Sequence, residues 1–202
     1  MHNEARDEII EDPRPHLRWD SALAADALQY AQKLAQSNRM AHSSPKERIR
    51  NGQICGENIA WNAWGRFTLV DATRLWIQEK SKYRGQKIGS GGDSTWGHYT
   101  EIICPNVTRV GLGLTRTRSG ETYVVARYNA CQTHGSTPYD SRKGNIFKNR
   151  RWQPITGGRG HRSGSGAGRE RRDLPQGGHQ FEIMGLDDFF RDLKAFKDQL
   201  RR

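Results

Sequence analysis

Long apolar runs are missing from this 202-residue chain. No stretch approaches the roughly 18 to 20 consecutive apolar residues of a membrane-spanning helix, which excludes an integral helical membrane protein. An apolar leader after Met1 is missing too, so no secretion signal is visible. Hydrophobic residues make up only 34% of the chain, so a core has to be concentrated in part of its length. Cysteine is scarce: Cys55, Cys104 and Cys131 form no CxxC or other zinc-type spacing. Their odd number allows at most one internal disulfide with a thiol left over, and buried structural thiols are the plainer reading. Internal repeats are absent, and so is the βαβ rhythm of a parallel sheet.

Positive charge is what the chain has in excess. It carries 33 Lys+Arg against 22 Asp+Glu, a net of +11, a balance that suggests nucleic acid, an anionic membrane surface or an acidic partner. The excess is local. Residues 1–140 hold 18 basic and 15 acidic residues, a net of +3, together with most of the Trp, Ile, Val and Leu. Residues 141–180 hold 10 basic against 2 acidic residues, a net of +8, and 9 of these residues are Gly. That composition predicts a disordered basic Gly/Arg-rich linker. Residues 181–202 balance 5 against 5, with Leu186, Phe189, Phe190, Leu193, Phe196 and Leu200 at the spacing of an amphipathic helix. The chain therefore divides into a folded domain over 1–140, a linker over 141–180 and a helix over 181–202.

Within the first block, Asp20-Ser21 begins a helix with Leu23, Ala27, Leu28, Ala31, Leu34 and Ala35 along one stripe and Asn38 as its stop. A second helix starts at Thr68, with Asp71 completing a variant capping box. Its stripe of Leu69, Ala72, Leu75 and Trp76 carries Glu79 on the same inward face, and a carboxylate there needs a partner or a cavity. Residues 109–115 and 122–128 flank a turn at Ser119-Gly120 and predict an antiparallel hairpin. Gly111 and Gly113 share one face of its first strand, which predicts a closely packed neighbour there. Helices and strands without βαβ alternation place the fold in the α+β or layered-sandwich class.

Candidate chemistry lies in dispersed His and Glu residues. His42 follows the first helix, His98 sits in Gly97-His98-Tyr99-Thr100, Glu57 lies among apolar residues in Gly56-Glu57-Asn58-Ile59, and Glu79 points inward. Brought together, two imidazoles and two carboxylates hold a divalent cation or act as a proton-transfer pair. Spacing alone does not bring them together.

Several blocks occur in an order that resembles the CAP superfamily: the cysteine-rich secretory, antigen five and plant pathogenesis-related proteins, whose module is also called the SCP domain. They are His2-Asn3-Glu4-Ala5-Arg6, Leu17-Arg18-Trp19-Asp20, His42-Ser43, Cys55-Gly56-Glu57-Asn58-Ile59-Ala60-Trp61, Leu75-Trp76-Ile77-Gln78-Glu79, Gly97-His98-Tyr99-Thr100-Glu101 and Arg127-Tyr128-Asn129, all within residues 2–139. The resemblance implies a three-layer α-β-α sandwich with an antiparallel central sheet and a cleft lined by His42, Glu57, Glu79 and His98. It also implies zinc or another divalent cation in that cleft in some members, sterol, fatty-acid or other lipid ligands in separate apolar grooves, and an extracellular location. Departures are present. Glu101 stands where the family's block normally has Gln, Cys104 replaces a Trp, and Leu112 and Ala126 occupy strand positions where many members have Cys. A Cys104–Cys131 bond is a conceivable local substitute.

Three function classes follow. The first is a non-enzymatic binding module for a sterol, fatty acid or other lipid, with a cleft able to take a metal. The second is a metal-dependent hydrolase using the same cleft. No activated nucleophile is evident for it, and Ser43-Ser44-Pro45 reads as a loop turn. The third is nucleic-acid binding through the basic linker, with Trp152 as a stacking residue. It is set aside because the segment has almost no aromatic side chains for readout. The linker is more simply a solvated tail, while the terminal helix either docks back on its own domain or meets a membrane or partner protein; at most residues 141–202 tether the domain to an anionic membrane surface.

Overall fold

A computed structural model of the chain describes residues 1–10, 12–63, 66–139 and 181–182. Its helices are α1 (His2–Asp7), α2 (Ser21–Ser37), α3 (Leu69–Gln78) and α4 (Asp93–Ile102). Its strands are β1 (Arg18–Trp19), β2 (Ile49–Arg50), β3 (Gln53–Ile54), β4 (Gly56–Asn62), β5 (Arg109–Arg116), β6 (Thr122–Tyr128) and β7 (Phe181–Glu182). Short 3-10 turns at Pro45–Arg48 and Glu79–Ser81 precede β2 and follow α3.

The local signals act as their chemistry requires. The Asp20 carboxylate accepts hydrogen bonds from the Ala22 and Leu23 amides and caps α2, and Asn38 ends the helix in the left-handed conformation at φ 47°. At α3 the Thr68 hydroxyl and the Asp71 carboxylate form a reciprocal capping box. Ser44 does the same with Glu47 ahead of the 3-10 turn, so Ser43-Ser44-Pro45 is a turn entry.

A five-stranded sheet in the order β1-β5-β6-β4-β7 forms the middle layer. β5, β6 and β4 pair antiparallel in continuous register, while β1 pairs parallel to β5 over Arg18↔Arg109 and Trp19↔Val110, a departure from a purely antiparallel sheet. β2 and β3 form a separate two-residue hairpin. Alternation along the strands makes two cores. Ile59, Tyr123 and Val125 face α2 and pack on Ala27, Tyr30, Ala31 and Leu34. Ala60, Val124, Ala126 and Tyr128 face the opposite way, toward Trp76, Tyr99, Ile102 and Ile103 of the α1, α3 and α4 layer. This is the expected α+β three-layer sandwich.

The predicted linker over 141–180 lies outside the described residues, as do residues 183–202 of the predicted terminal helix. Its first two residues are corrected: Phe181–Glu182 pair antiparallel with Trp61 and Asn62 as a strand. The edge of β4 presents unpaired backbone groups, and an extended segment satisfies them where a helical one does not. All three cysteines are free thiols, Cys55 and Cys104 buried and Cys131 half-buried, so no Cys104–Cys131 bond forms.

Candidate functional site

The four residues singled out from the sequence form two His–Glu pairs. Glu57 projects from β4 and Glu79 from the end of α3, while His42 follows α2 and His98 lies on α4. The His42 Nδ1 is 2.6 Å from Glu57 Oε1, and the His98 Nδ1 is 2.7 Å from Glu79 Oε1. Both pairs are buried. The two imidazoles are near enough to each other to interact electrostatically.

Each carboxylate is held from several sides. Glu57 accepts from the Ser43 amide at 3.0 Å, the Ser43 hydroxyl at 2.9 Å and the Arg127 guanidinium at 2.5 Å, with Arg48 at 3.8 Å. Burial alone would raise the Glu57 pKa, but Arg127, Arg48 and the His42 hydrogen bond outweigh it and hold the carboxyl far below its ordinary range. Glu79 is held by backbone amides instead. Its Oε2 accepts from the His98 and Tyr99 amides at 3.0 and 3.2 Å. The His98 ring stacks on Trp76 with centroids 6.1 Å apart, and its carbonyl accepts from the Asn58 amide at 3.0 Å.

The protonation states follow. Burial lowers the His42 pKa against the opposing pull of Glu57, so the ring is neutral at physiological pH. A neutral imidazole that donates from Nδ1 to a carboxylate keeps its lone pair on Nε2. The His98 Nε2 is buried without a hydrogen-bond partner among the described residues, which is the feature a cation or a ligand donor would satisfy. The donor set fits a metal to this extent: two imidazoles whose second nitrogens are oriented by carboxylates. Among the described residues no three His, Cys, Asp or Glu stand together as a metal-holding group. Both carboxylates are engaged at Nδ1, so the remaining positions on a cation would fall to water or to a bound ligand.

Sequence reasoning missed the clamp on Glu57. Arg127 and Ser43 were visible only as members of motifs, Ser43 read as part of a loop turn, and Arg48 not at all, because a residue close in space to a carboxylate has no periodic signature. The strand register supplies the missing link, with Glu57 directly opposite Arg127.

Comparison with known proteins agrees with this architecture. The sequence model of the CAP family, described as the cysteine-rich secretory protein family, matches residues 1–128. The chain belongs to that family. It is 32% identical over 139 residues to pathogenesis-related protein 1C of Nicotiana tabacum, covering 68% of this chain and 76% of that protein. It is 34% identical over 114 residues to the Golgi-associated plant pathogenesis-related protein 1 of Homo sapiens, covering 56% and 70%. The crystal structure of NaASP2 with Zn2+ superposes with a TM-score of 0.55 at 22% identity, over 69% of this chain and 80% of that one, and so shares its fold.

Proposed function

We propose that this CAP-family chain is a non-enzymatic binding module whose cleft takes a divalent cation, zinc first, between the Nε2 atoms of His42 and His98. The observation that carries the reading is the double pairing itself. Each ring is locked by a carboxylate at Nδ1, and the buried His98 Nε2 has no hydrogen-bond partner among the described residues. A bound cation would supply a Lewis-acid centre with open positions for a ligand. A similar fold has been crystallised with Zn2+, which supports the choice of zinc. The Ser43 hydroxyl donates to Glu57 and accepts from Arg127 at 2.8 Å, not to an imidazole, which favours binding over a nucleophilic hydrolase.

The lipid or sterol ligand and an extracellular location rest on family membership, the latter supported by the family's description as secretory. Titration of the full chain with zinc tests the reading. Stoichiometric uptake is expected, and the double substitution His42→Ala, His98→Ala should abolish it. Sterol or fatty-acid binding should survive that substitution if, as family membership implies, the lipid grooves are separate from the cleft, and losing both together would argue for one shared site. Uptake unchanged in the double variant sinks the metal assignment.

A further inference from the structure

On the α2 face of the sheet a cavity of about 520 Å³ opens between α2 and the segment from the 3-10 turn to β2. Its size is in the range of ordinary ligand sites, but its lining is amides and ions where such sites are usually apolar. Gln29, Gln32 and Gln36 stand along one stripe of α2, exposed, at spacings of three and four residues. The stripe spans about 10 Å of helix, the length of two linked pyranose rings. Each amide offers two donors and an acceptor with two lone pairs.

The charges around this stripe are already matched. Lys33 pairs with Glu47 at 2.5 Å, and Arg50 pairs with Asp26 through Nε at 2.7 Å. Arg127 pairs with Glu57 beneath the floor. An anionic ligand would have to displace one of these carboxylates, whereas a neutral ligand rich in hydroxyls can bridge them without breaking any pair. The floor is rigid. Tyr30 donates to the Ala41 carbonyl at 2.8 Å, and the Arg127 guanidinium lies 5.0 Å from its ring centroid. Arg127 itself is 4% exposed, and both of its hydrogen bonds to described residues leave from Nη1, so its other N–H groups remain for the cavity it lines. A second cavity of about 420 Å³, mixed polar and apolar in its lining, shares Asp26 and Arg50 with the first and extends the groove along α2 past Cys55.

We infer that this groove is a binding site for a neutral oligosaccharide, seated on the glutamine stripe with the buried Arg127 donating to a hydroxyl. The site is separate from the His42–His98 cleft and independent of the metal reading, although Arg127 touches both.

The test uses the full chain, labelled with nitrogen-15, titrated separately with cellobiose, N,N′-diacetylchitobiose and digalacturonate. At least one neutral disaccharide should move the side-chain amide resonances of Gln29, Gln32 and Gln36. The triple substitution Gln29→Ala, Gln32→Ala, Gln36→Ala should weaken that binding at least tenfold. Alanine at exposed helix positions preserves the helix, so an unchanged thermal midpoint checks the fold, and unchanged zinc uptake separates this site from the cleft. The inference is overturned if neither neutral sugar shifts these amides, if the triple variant binds as the parent does, or if only digalacturonate binds and salt removes it.

Discussion

Glu57 of β4 and Arg127 of β6 face each other directly in the antiparallel ladder, and their side chains close a buried ion pair at 2.5 Å. The pair has the same parity as Ile59 and Val125, so it lies under α2 at the end of the apolar face. Burying two charges is costly, and removing one partner leaves the other uncompensated. Arg127→Met should therefore destabilise the chain by about 3–5 kcal/mol, since Arg48 at 3.8 Å and the neutral His42 only partly replace the lost charge. Arg127→Lys should cost less. Urea unfolding of the two variants checks the order, and equal stabilities would mean that Arg127 acts through packing alone.

Glu101 predicts a pH dependence. The carboxyl is buried on α4, accepts from the Gln132 amide at 3.0 Å through Oε2, and has no hydrogen-bond partner at Oε1 among the described residues. Burial is the main cause that raises its pKa from 4.5 to about 7, opposed by the Gln132 hydrogen bond, Arg48 and Arg6. Between those values the folded chain keeps a proton that the unfolded chain has released. Stability therefore falls as pH rises from about 4.5 and levels off above about 7, a difference on the order of 3 kcal/mol. Glu101→Gln keeps the shape and the acceptor for Gln132 without the charge. Its thermal midpoint should match the parent at pH 4.5 and exceed it at pH 8. Parallel profiles for the two proteins would assign the slope to another group.

The elements legible in the sequence are those with a cap, an apolar stripe or a marked turn. Helix α2 was bounded by Asp20 and Asn38, α3 by Thr68 and Asp71, and the β5–β6 hairpin by the turn at Ser119-Gly120, which marks it although β6 is buried at every position. Helix α4 escaped notice, although His98 lies on it. From Trp96 to Ile102 it is buried on every side, so it has no polar face to set a period. Strand β4 fails in the same way, with buried residues on both faces. The inward Glu79 was readable as a carboxylate in need of a partner, and His98 is that partner. Its counterpart Glu57 was readable as a candidate but not as an arginine-clamped anion, since the clamp depends on the register of strands about 70 residues apart.

The close neighbour implied by Gly111 and Gly113 is the backbone of α2. A Cβ at Gly113 would lie 2.2 Å from the Leu28 amide nitrogen, and one at Gly111 would lie 2.1 Å from that of Ala24. Backbone atoms cannot rotate aside, so either side chain must push the helix off the sheet. Gly113→Ala should destabilise by about 1–3 kcal/mol or more. It should also expose the second core, where Tyr30 and Leu34 meet Tyr123 and Val125. Thermal unfolding checks the first effect and near-ultraviolet dichroism of the tyrosines the second. A Gly113→Ala protein with the parent midpoint would show that α2 does not rest on this strand.

Arg6 makes the last prediction, because it is a fully buried cation whose hydrogen bonds to the described residues all go to backbone carbonyls and none to a carboxylate. Its Nη1 donates to the Ile102 and Cys104 carbonyls at 2.7 and 3.0 Å, Nη2 to the Val107 carbonyl at 2.9 Å, and Nε to the Pro15 carbonyl at 2.8 Å. Three of these acceptors belong to the end of α4 and the turn after it, where helix carbonyls lack internal partners. The guanidinium thus ties α1 and the segment before β1 to the helix that carries His98. Burial lowers its pKa to about 10, still well above physiological pH, so the donors stay charged. Arg6→Met fills much of the same volume but strands these carbonyls in a dry environment, at a cost of at least about 3 kcal/mol. Arg6→Lys, with one ammonium to serve four acceptors, should lie between the two. If α4 depends on this anchor, hydrogen exchange at the Ile102 and Ile103 amides should quicken in Arg6→Met more than exchange along β6, whereas uniform acceleration would mean that only global stability has changed.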